Sequence, residues 1–242
     1  MTTNIIIPMA GLGDRFSKAG YAIEKPLLPL GSQTMIQSVV KNLNFEGAKF
    51  SFILNTNNTI THDDLYDSLK SIIVDFNIFS VDELPNGPAD SSMVAIPYID
   101  LSQPLIITNC DQIIEDFNYE VFLKFCETKK ADGVLGTFNS CSPKNSYIRL
   151  DEQNLISEVK EKEVLSNMAT NGFHWWKSGS LFYESVLEMR NAGDIVNGEY
   201  YVAPSYKYLI DKGLKILPYW FNSHYPIGIP EDYEHYKQLR NL

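Results

Sequence analysis

Apolar and polar positions along the first hundred residues fall into alternating blocks of two kinds. Short apolar runs at residues 4–9, 50–55, 76–81 and 104–108 have strand length and are rich in isoleucine and phenylalanine. Between them, residues 34–42 and 61–73 repeat their apolar positions at helical spacing. Such alternation predicts an α/β fold with a largely parallel sheet covered by helices, because parallel strands need crossover connections and bury both faces. In an open sheet of this type ligands collect outside the carboxyl ends of the strands, which points to the loops starting at Ala10, Asn55 and Asn109. The second half is patterned differently. Strand-like runs at 133–138, 147–150, 155–160 and 215–221 mix with helical patterns at 179–192, 205–212 and 231–240, which predicts added or antiparallel strands forming the far wall of a cleft.

Composition supports one continuous unit over residues 1–242. Apolar residues make up 44% and aromatics 12%, enough for a sizeable core, and no repeat, Gly/Ser linker or long charge block marks a boundary. The balance of 20 Lys and Arg against 30 Asp and Glu gives a net charge of −10, which repels nucleic-acid backbones and anionic lipid. Nucleic acid and membrane are therefore excluded as partners. No apolar run approaches the roughly 18 residues of a membrane span, and no Lys or Arg precedes Arg15, so a cytoplasmic location is expected. The three cysteines, Cys110, Cys126 and Cys141, form neither an even set nor a CxxC pair and read as reduced core residues.

The run IIIPMAGLGDRF over residues 5–16 places Gly11 and Gly13 directly after a buried-looking strand. Glycines there let backbone N–H groups approach a ligand closely, which suits phosphate. The dinucleotide fingerprint requires a third small residue where Phe16 stands, and the Walker loop requires Gly-Lys-Ser/Thr, so neither pattern is met. Cations come instead from Arg15, Lys18 and Lys25, against Asp14 and Glu24. That local positive balance in an acidic chain fits a small polyanion, although the run alone leaves a plain strand-to-helix turn equally open.

PMAGLGDRF followed by EKPLLPLGSQTMI at residues 24–36 resembles the opening of the sugar-1-phosphate nucleotidylyltransferases, the NDP-sugar pyrophosphorylases. The resemblance continues in GPADS (87–91), NCDQ (109–112), EKE (161–163) and IGIPEDYEHY (227–236), spanning nearly the whole chain. It implies a glycosyltransferase-A-like fold with a mixed, mostly parallel central sheet. Residues 1 to about 115 would form the nucleotide-binding half and about 116–242 the acceptor-binding half. The implied substrates are a nucleoside triphosphate and a sugar phosphate, the implied cofactor is Mg²⁺, and a homo-oligomer is compatible with the family. Supply of precursors for polysaccharide is a further implication.

In the implied reaction a phosphate oxygen of the sugar 1-phosphate attacks the α-phosphorus and pyrophosphate leaves. A phosphomonoester has a second pKa of about 6, so its oxygen is already largely deprotonated at neutral pH and no strong base is needed. The sequence agrees in showing no nucleophile triad, and His62, His174, His224 and His235 lack metal-ligand spacing and read as polar or capping residues. By resemblance, Ala10, Gly11, Leu12, Gly13, Asp14 and Arg15 wrap the triphosphate, Arg15 holds the pyrophosphate portion, and Lys25 contacts the reacting phosphates. Asp111, delivered by the buried run PLIITNC, falls at the family's metal position, with capping of the next segment as its ordinary alternative. Gly87 and Ala89 fall where the family's loop packs on the base. On the acceptor side Glu161 and Lys162 match a carboxylate for sugar hydroxyls and a lysine for the sugar phosphate, while Asn171, Gly172 and Glu199 fall at further acceptor positions. Trp175 and Trp176 are adjacent, so at most one of them can face a cleft from a strand.

Two positions depart from the family pattern. Pro226 stands where many relatives carry a second metal-binding Asp, and Asp14 stands where Ser or Thr is common. Glu199 and Asp232 are candidates to replace the missing carboxylate. The alternatives that keep the same residues are a cytidylyltransferase acting on phosphocholine or a phosphopolyol, a glycosyltransferase of the same fold, and a nucleotide-binding regulator with weakened catalysis.

Overall fold

The computed structural model describes residues 2–11, 13–57, 60–115 and 117–242. The isoleucine run becomes β1 (Thr3–Pro8), followed by a small antiparallel ribbon of β2 (Pro29–Leu30) and β3 (Gln33–Thr34). On one side β1 pairs in parallel with β4 (Ala48–Asn55), which pairs in parallel with β5 (Phe76–Val81). On its other side it pairs in parallel with β6 (Leu105–Ile107). Ile5 and Ile7 join Phe50 and Phe52 in the core on one face of the sheet, and Ile6 joins Ile53 and Ile107 on the other. A strand buried on both faces has no polar positions to alternate, which is why its sequence is continuous isoleucine.

Helices cover this block. They are α1 (Asp14–Lys18), α2 (Met35–Leu43), α3 (His62–Leu69) and the short α4 (Pro88–Ser92). α2 opens with a capping box: the Thr34 hydroxyl accepts from the Gln37 N–H at 3.3 Å, and the Gln37 side chain accepts from the Thr34 N–H at 2.8 Å. Its buried face is Met35, Ile36, Val39, Val40 and Leu43. α3 ends at Leu69, four residues before the expected Ile73. The Leu69 carbonyl takes hydrogen bonds from the N–H groups of both Ile72 and Ile73, so the chain closes in a turn that still buries Ile73.

In the second half come β7 (Gln112–Ile114), α5 (Tyr119–Lys129), β8 (Gly133–Asn139), β9 (Ser146–Leu150), β10 (Ile156–Glu161) and β11 (Met168–Trp176). α6 (Gly179–Asn191), α7 (Tyr206–Asp211), β12 (Ile216–Trp220), β13 (His224–Pro226) and α8 (Pro230–Arg240) complete the chain. β11 joins the halves: it runs antiparallel to β6 and also pairs with β8 and β9. Following the pairings across the nine-stranded sheet, seven strands run one way and only β10 and β11 oppose them. The sheet is therefore mixed and mostly parallel, with helices on its faces. Outside it, β13 pairs with β7 in a two-stranded ribbon that places Pro226 opposite Gln112.

Several elements are absent from the sequence reading, among them α5, β11 and the β7/β13 ribbon. α5 buries only the narrow stripe of Tyr119, Phe122 and Cys126, and Val121 interrupts its outer face by standing exposed. β11 is nearly all buried but carries the polar pair Thr170-Asn171 within it. The tryptophans meet the expectation that at most one of them faces a cleft. Trp175 packs with Phe122 and Trp176 with Tyr206 and Phe182, on opposite faces of the sheet, so neither meets a cleft. Cys110 and Cys126 are buried as expected, but Cys141 is exposed in the connection from β8 to β9 and is not a core residue. Among the described residues no helix is long and apolar enough to cross a membrane.

β11 carries a register shift between Thr170 and His174, centred on Gly172 at φ +83°. A Cβ on Gly172 would lie 2.3 Å from the Asn109 amide nitrogen, so the bulge seats the loop after β6 against β11. Gly193 also has positive φ (+63°) but open space around it. Gly193→Ala should cost about 1 kcal/mol in urea unfolding, the left-handed penalty alone. Gly172→Ala should cost about 2 kcal/mol more, because Asn109 must also move. Equal losses would show that the Asn109 contact constrains nothing.

Candidate active site

The carboxyl ends of β1 and β6 release the two loops that build the site. After β1 the chain passes Ala10, Gly11 and Gly13, the last at φ +66°, a conformation that suits glycine as it turns into α1. Leu12 lies outside the described residues. Asp14 and Arg15 open α1, and Asp14 is bonded to Lys18 at 3.1 Å across one exposed turn. The acid at the unusual position 14 is thus matched by a cation four residues on. After one further turn, Lys25–Leu27, the Lys25 ammonium donates to the Asp111 carboxylate at 2.6 Å. The two side chains are only 17% and 25% exposed, so this pair is screened far less than an ordinary surface ion pair. Burial works against the Lys25 charge, but Asp111 more than offsets it and holds the ammonium well above its ordinary range. The neighbouring Cys110 thiol is pushed up by burial to about 11 and stays uncharged.

Asp111 is held from behind. A Cβ on Gly228 would stand 2.5 Å from its Oδ2, and the Ile227 N–H donates to its backbone carbonyl at 2.9 Å. Only a residue without a side chain lets the segment leaving β13 pass this close.

The opposite wall is the turn into α4. Gly87 has φ +100°, and a Cβ there would lie 2.7 Å from the Tyr200 carbonyl oxygen and 2.9 Å from the Glu199 Cβ. Tyr200 donates to the Asn86 carbonyl at 2.6 Å and accepts from the Ala89 N–H at 2.9 Å. Asp90 accepts from the Asn86 N–H at 3.0 Å and pairs with Arg190 of α6. Between the walls lies a cavity of about 600 Å³, lined by Ala10, Gly11, Gly13, Asp14, Arg15, Lys25, Asn109, Asp111, Gly87, Glu199 and Gly228 among others. Arg15 is exposed at its rim. Ala89, in contrast to the sequence expectation of a ligand contact, is fully buried behind the wall, with its N–H spent on Tyr200.

Of the acceptor-side candidates, Glu199 alone lines this cavity. Glu161 and Lys162 stand beside it through Tyr201, which follows two residues after Glu199: Lys162 donates to the Tyr201 hydroxyl and lies 4.4 Å from the ring centroid. Glu161 accepts from Ser146. Burial raises the Glu161 carboxyl above its ordinary range, and Glu199 adds to the rise, against the opposing pull of Ser146 and Lys162. Asn171 sits deeper, 4% exposed, with its side-chain oxygen accepting from the Phe173 N–H at 3.1 Å, so the structure places it behind the surface rather than on it. Gly172 reaches the cavity only through Asn109.

Tyr201, Asn109 and Gly228 are the residues that sequence reasoning missed. Tyr201 lay in view within NGEYYVAP, but two adjacent tyrosines give no sign of which one meets Lys162. Among the described residues no three His, Cys, Asp or Glu side chains gather as a metal cluster. His174 is neither polar-surface nor capping: it is buried between Trp176 and Tyr206, and burial lowers it to about 4. His224 faces Gln112 at 3.2 Å, is likewise lowered to about 4 by burial, and stays neutral at physiological pH.

The family described as nucleotidyl transferase matches residues 4–198 of the chain. No curated protein matches. Among solved structures, a nucleoside-diphosphate-sugar pyrophosphorylase from Vibrio cholerae RC9 superposes with a TM-score of 0.86 at 23% identity, covering 97% of this chain and 99% of that one. A UDP-glucose pyrophosphorylase complexed with UDP-glucose gives 0.79 at 18% identity, covering 100% and 99%. The inositol-1-phosphate CTP transferase from T. maritima gives 0.74 at 15% identity, covering 96% and 91%. At these identities the likenesses establish the fold.

The raised Glu161 carboxyl has a consequence for stability. The folded chain binds this proton more tightly than the unfolded one, so the associated stability is present below the ordinary value of 4.5 and is lost as pH rises through the folded value. Glu161→Gln should therefore melt above the wild type at pH 7 and lose that advantage by pH 4. A melting difference that does not change with pH would contradict the assigned environment.

Proposed function

Because the chain belongs to the nucleotidyl transferase family, we propose that it joins a nucleoside triphosphate to a sugar 1-phosphate, releasing pyrophosphate. The observation that carries this reading is the Lys25–Asp111 pair, 2.6 Å apart in a cavity walled by the glycine loop on one side and Gly87 on the other. A triphosphate needs close backbone N–H groups, a fixed cation and room for a base, and the amino-terminal half, through about residue 115, supplies all three. Gly11, Gly13 and Arg15 are assigned to the phosphate tail, Lys25 to the reacting phosphates and the surface at Gly87 to the base. Residues 116–242 supply the acceptor side: Glu161 and Glu199 as acceptors for sugar hydroxyls and Lys162 as the cation for its phosphate, with Asn171 and Gly172 supporting from behind.

The chemistry requires alignment and charge neutralisation. An acceptor phosphate oxygen, already deprotonated near neutral pH, forms a bond to the α-phosphorus as the bond to the departing pyrophosphate breaks. Lys25, kept charged by Asp111, meets the negative charge that builds on the transferring group. Asp111 offers the hard oxygen donor suited to Mg²⁺, which usually takes one or two carboxylates and completes its shell with phosphate oxygens and water. That donor set fits a single ion held by Asp111, and Mg²⁺ there would neutralise phosphate charge. Pro226, in register with Gln112, contributes no second carboxylate, and Glu199 is the acid that shares the cavity.

A second reading keeps the reaction and changes the acceptor to a phosphopolyol or phosphocholine with CTP. The likeness to the inositol-1-phosphate CTP transferase supports it. An inositol phosphate, like a sugar phosphate, offers ring hydroxyls to the same two glutamates.

The test is Mg²⁺-dependent pyrophosphate release from each of the four common nucleoside triphosphates with a panel of sugar 1-phosphates, inositol 1-phosphate and phosphocholine. One pairing should turn over, and Lys25→Ala and Asp111→Asn should each lower its kcat/KM by about 10²-fold or more, the usual loss for a charge-stabilising group. Undiminished turnover in both variants, or none with any pairing, contradicts the proposal.

A further inference from the structure

Lys162 occupies a backbone conformation unusual for its residue type. At the end of β10 it has φ +58°, in the left-handed region that side-chain-bearing residues seldom adopt, and its N–H is fixed on the Asn145 carbonyl at 3.0 Å. Its ammonium is then held at the far end, donating to the Tyr201 hydroxyl and lying 4.4 Å from the ring centroid. A lysine side chain has four rotatable carbons and would otherwise sweep a wide arc. Here both ends are pinned.

The Glu199 carboxylate lies close enough to act on the charge of the Tyr201 phenol. A phenol hydroxyl can accept while keeping its own proton, and Tyr201 accepts from Lys162 in this way. Glu199 is the acceptor-side acid that lines the main cavity, and the charges of Glu161 and Arg15 reach the same phenol. The next residue back, Tyr200, is the one whose backbone closes on Asn86, Gly87 and Ala89. Tyr201 thus stands on a segment anchored to the opposite wall of the cavity.

We propose that Tyr201 is the positioning residue of the acceptor end: its hydroxyl, accepting from Lys162, fixes the Lys162 ammonium where the acceptor's phosphate is neutralised. The proposal rests on the reading of the site as one for a phosphorylated acceptor. Tyr201 acts through Lys162, so the two residues form one unit. Its ring supplies attraction for the cation and its hydroxyl supplies direction. Removing the hydroxyl alone separates the two contributions.

Two measurements test it. In nitrogen-15 NMR of the full chain at low temperature, the Lys162 ammonium should give a signal sharpened by slow proton exchange, and Tyr201→Phe should abolish it. Survival of that signal overturns the proposal. In steady-state kinetics with the acceptor found by the pyrophosphate assay, Tyr201→Phe should raise the acceptor KM about tenfold, as loss of a hydrogen bond to a charged group does, and leave the triphosphate KM within about twofold. In a Lys162→Met background the same change should have no further effect. A rise in both KM values together, or an effect that adds to Lys162→Met, overturns the proposal by making Tyr201 merely structural. If the wild-type chain turns over no acceptor, the phosphorylated-acceptor reading fails on that result, and the NMR signal still decides whether Tyr201 holds Lys162.

Discussion

An ion pair spanning 86 residues of sequence organises this molecule: the Lys25 ammonium and the Asp111 carboxylate meet at 2.6 Å, mostly shielded from water. Charges removed from water are costly unless they face one another at close range, so each fixes the other's position. Everything around the pair serves that placement. β1 and β6 lie side by side and end at the same edge of the sheet, delivering both loops to one point. Gly228 lets the chain leaving β13 press against Asp111. α8 then returns across the first loop, where Phe16, Tyr21 and Tyr233 stack edge to face at 5.2–6.0 Å and Tyr21 donates to Glu234 at 2.8 Å. At its other end Arg240 and Tyr236 bind Glu115, just beyond β7. The carboxyl-terminal helix therefore braces both partners of the pair.

The same economy of space recurs at Gly87 and Gly172. Each combines positive φ with a neighbour that a Cβ would strike: Tyr200 for Gly87 and Asn109 for Gly172. In both cases a segment from the second half of the chain meets a loop from the first. The cavity is therefore a joint between halves, and its walls keep their separation because no side chain intervenes.

Much of this was legible in the sequence, for identifiable reasons. The parallel block around β1 announced itself because strands buried on both faces are written as continuous apolar runs. The glycine loop and Asp111 stood at strand ends, where an α/β sheet gathers ligands, Lys25 stood out by its charge and by the family resemblance, and the structure brings them to one cavity. β11 was hidden because Thr170, Asn171 and His174 interrupt its apolar positions, and buried polar residues break the periodic signal. The tryptophans were left undecided between cleft and core because aromatic rings suit sugars and cores alike; only the sheet's second covered face decides that both are core. Ala89 fell behind the wall because Tyr200 packs over it. Tyr201 could not be read at all, since its meaning depends on Lys162, which lies 39 residues away and projects from a left-handed turn.

The central claim is that the Lys25–Asp111 pair marks where a nucleotide's phosphates are received. A crystal structure with a non-hydrolysable triphosphate analogue and Mg²⁺ addresses it directly. The phosphates should lie against the backbone of residues 11–15, within hydrogen-bonding reach of Lys25, with Asp111 facing them and the base beside Gly87. A nucleotide bound elsewhere, with Lys25 still closed on Asp111 and Arg15 turned to solvent, would contradict the account.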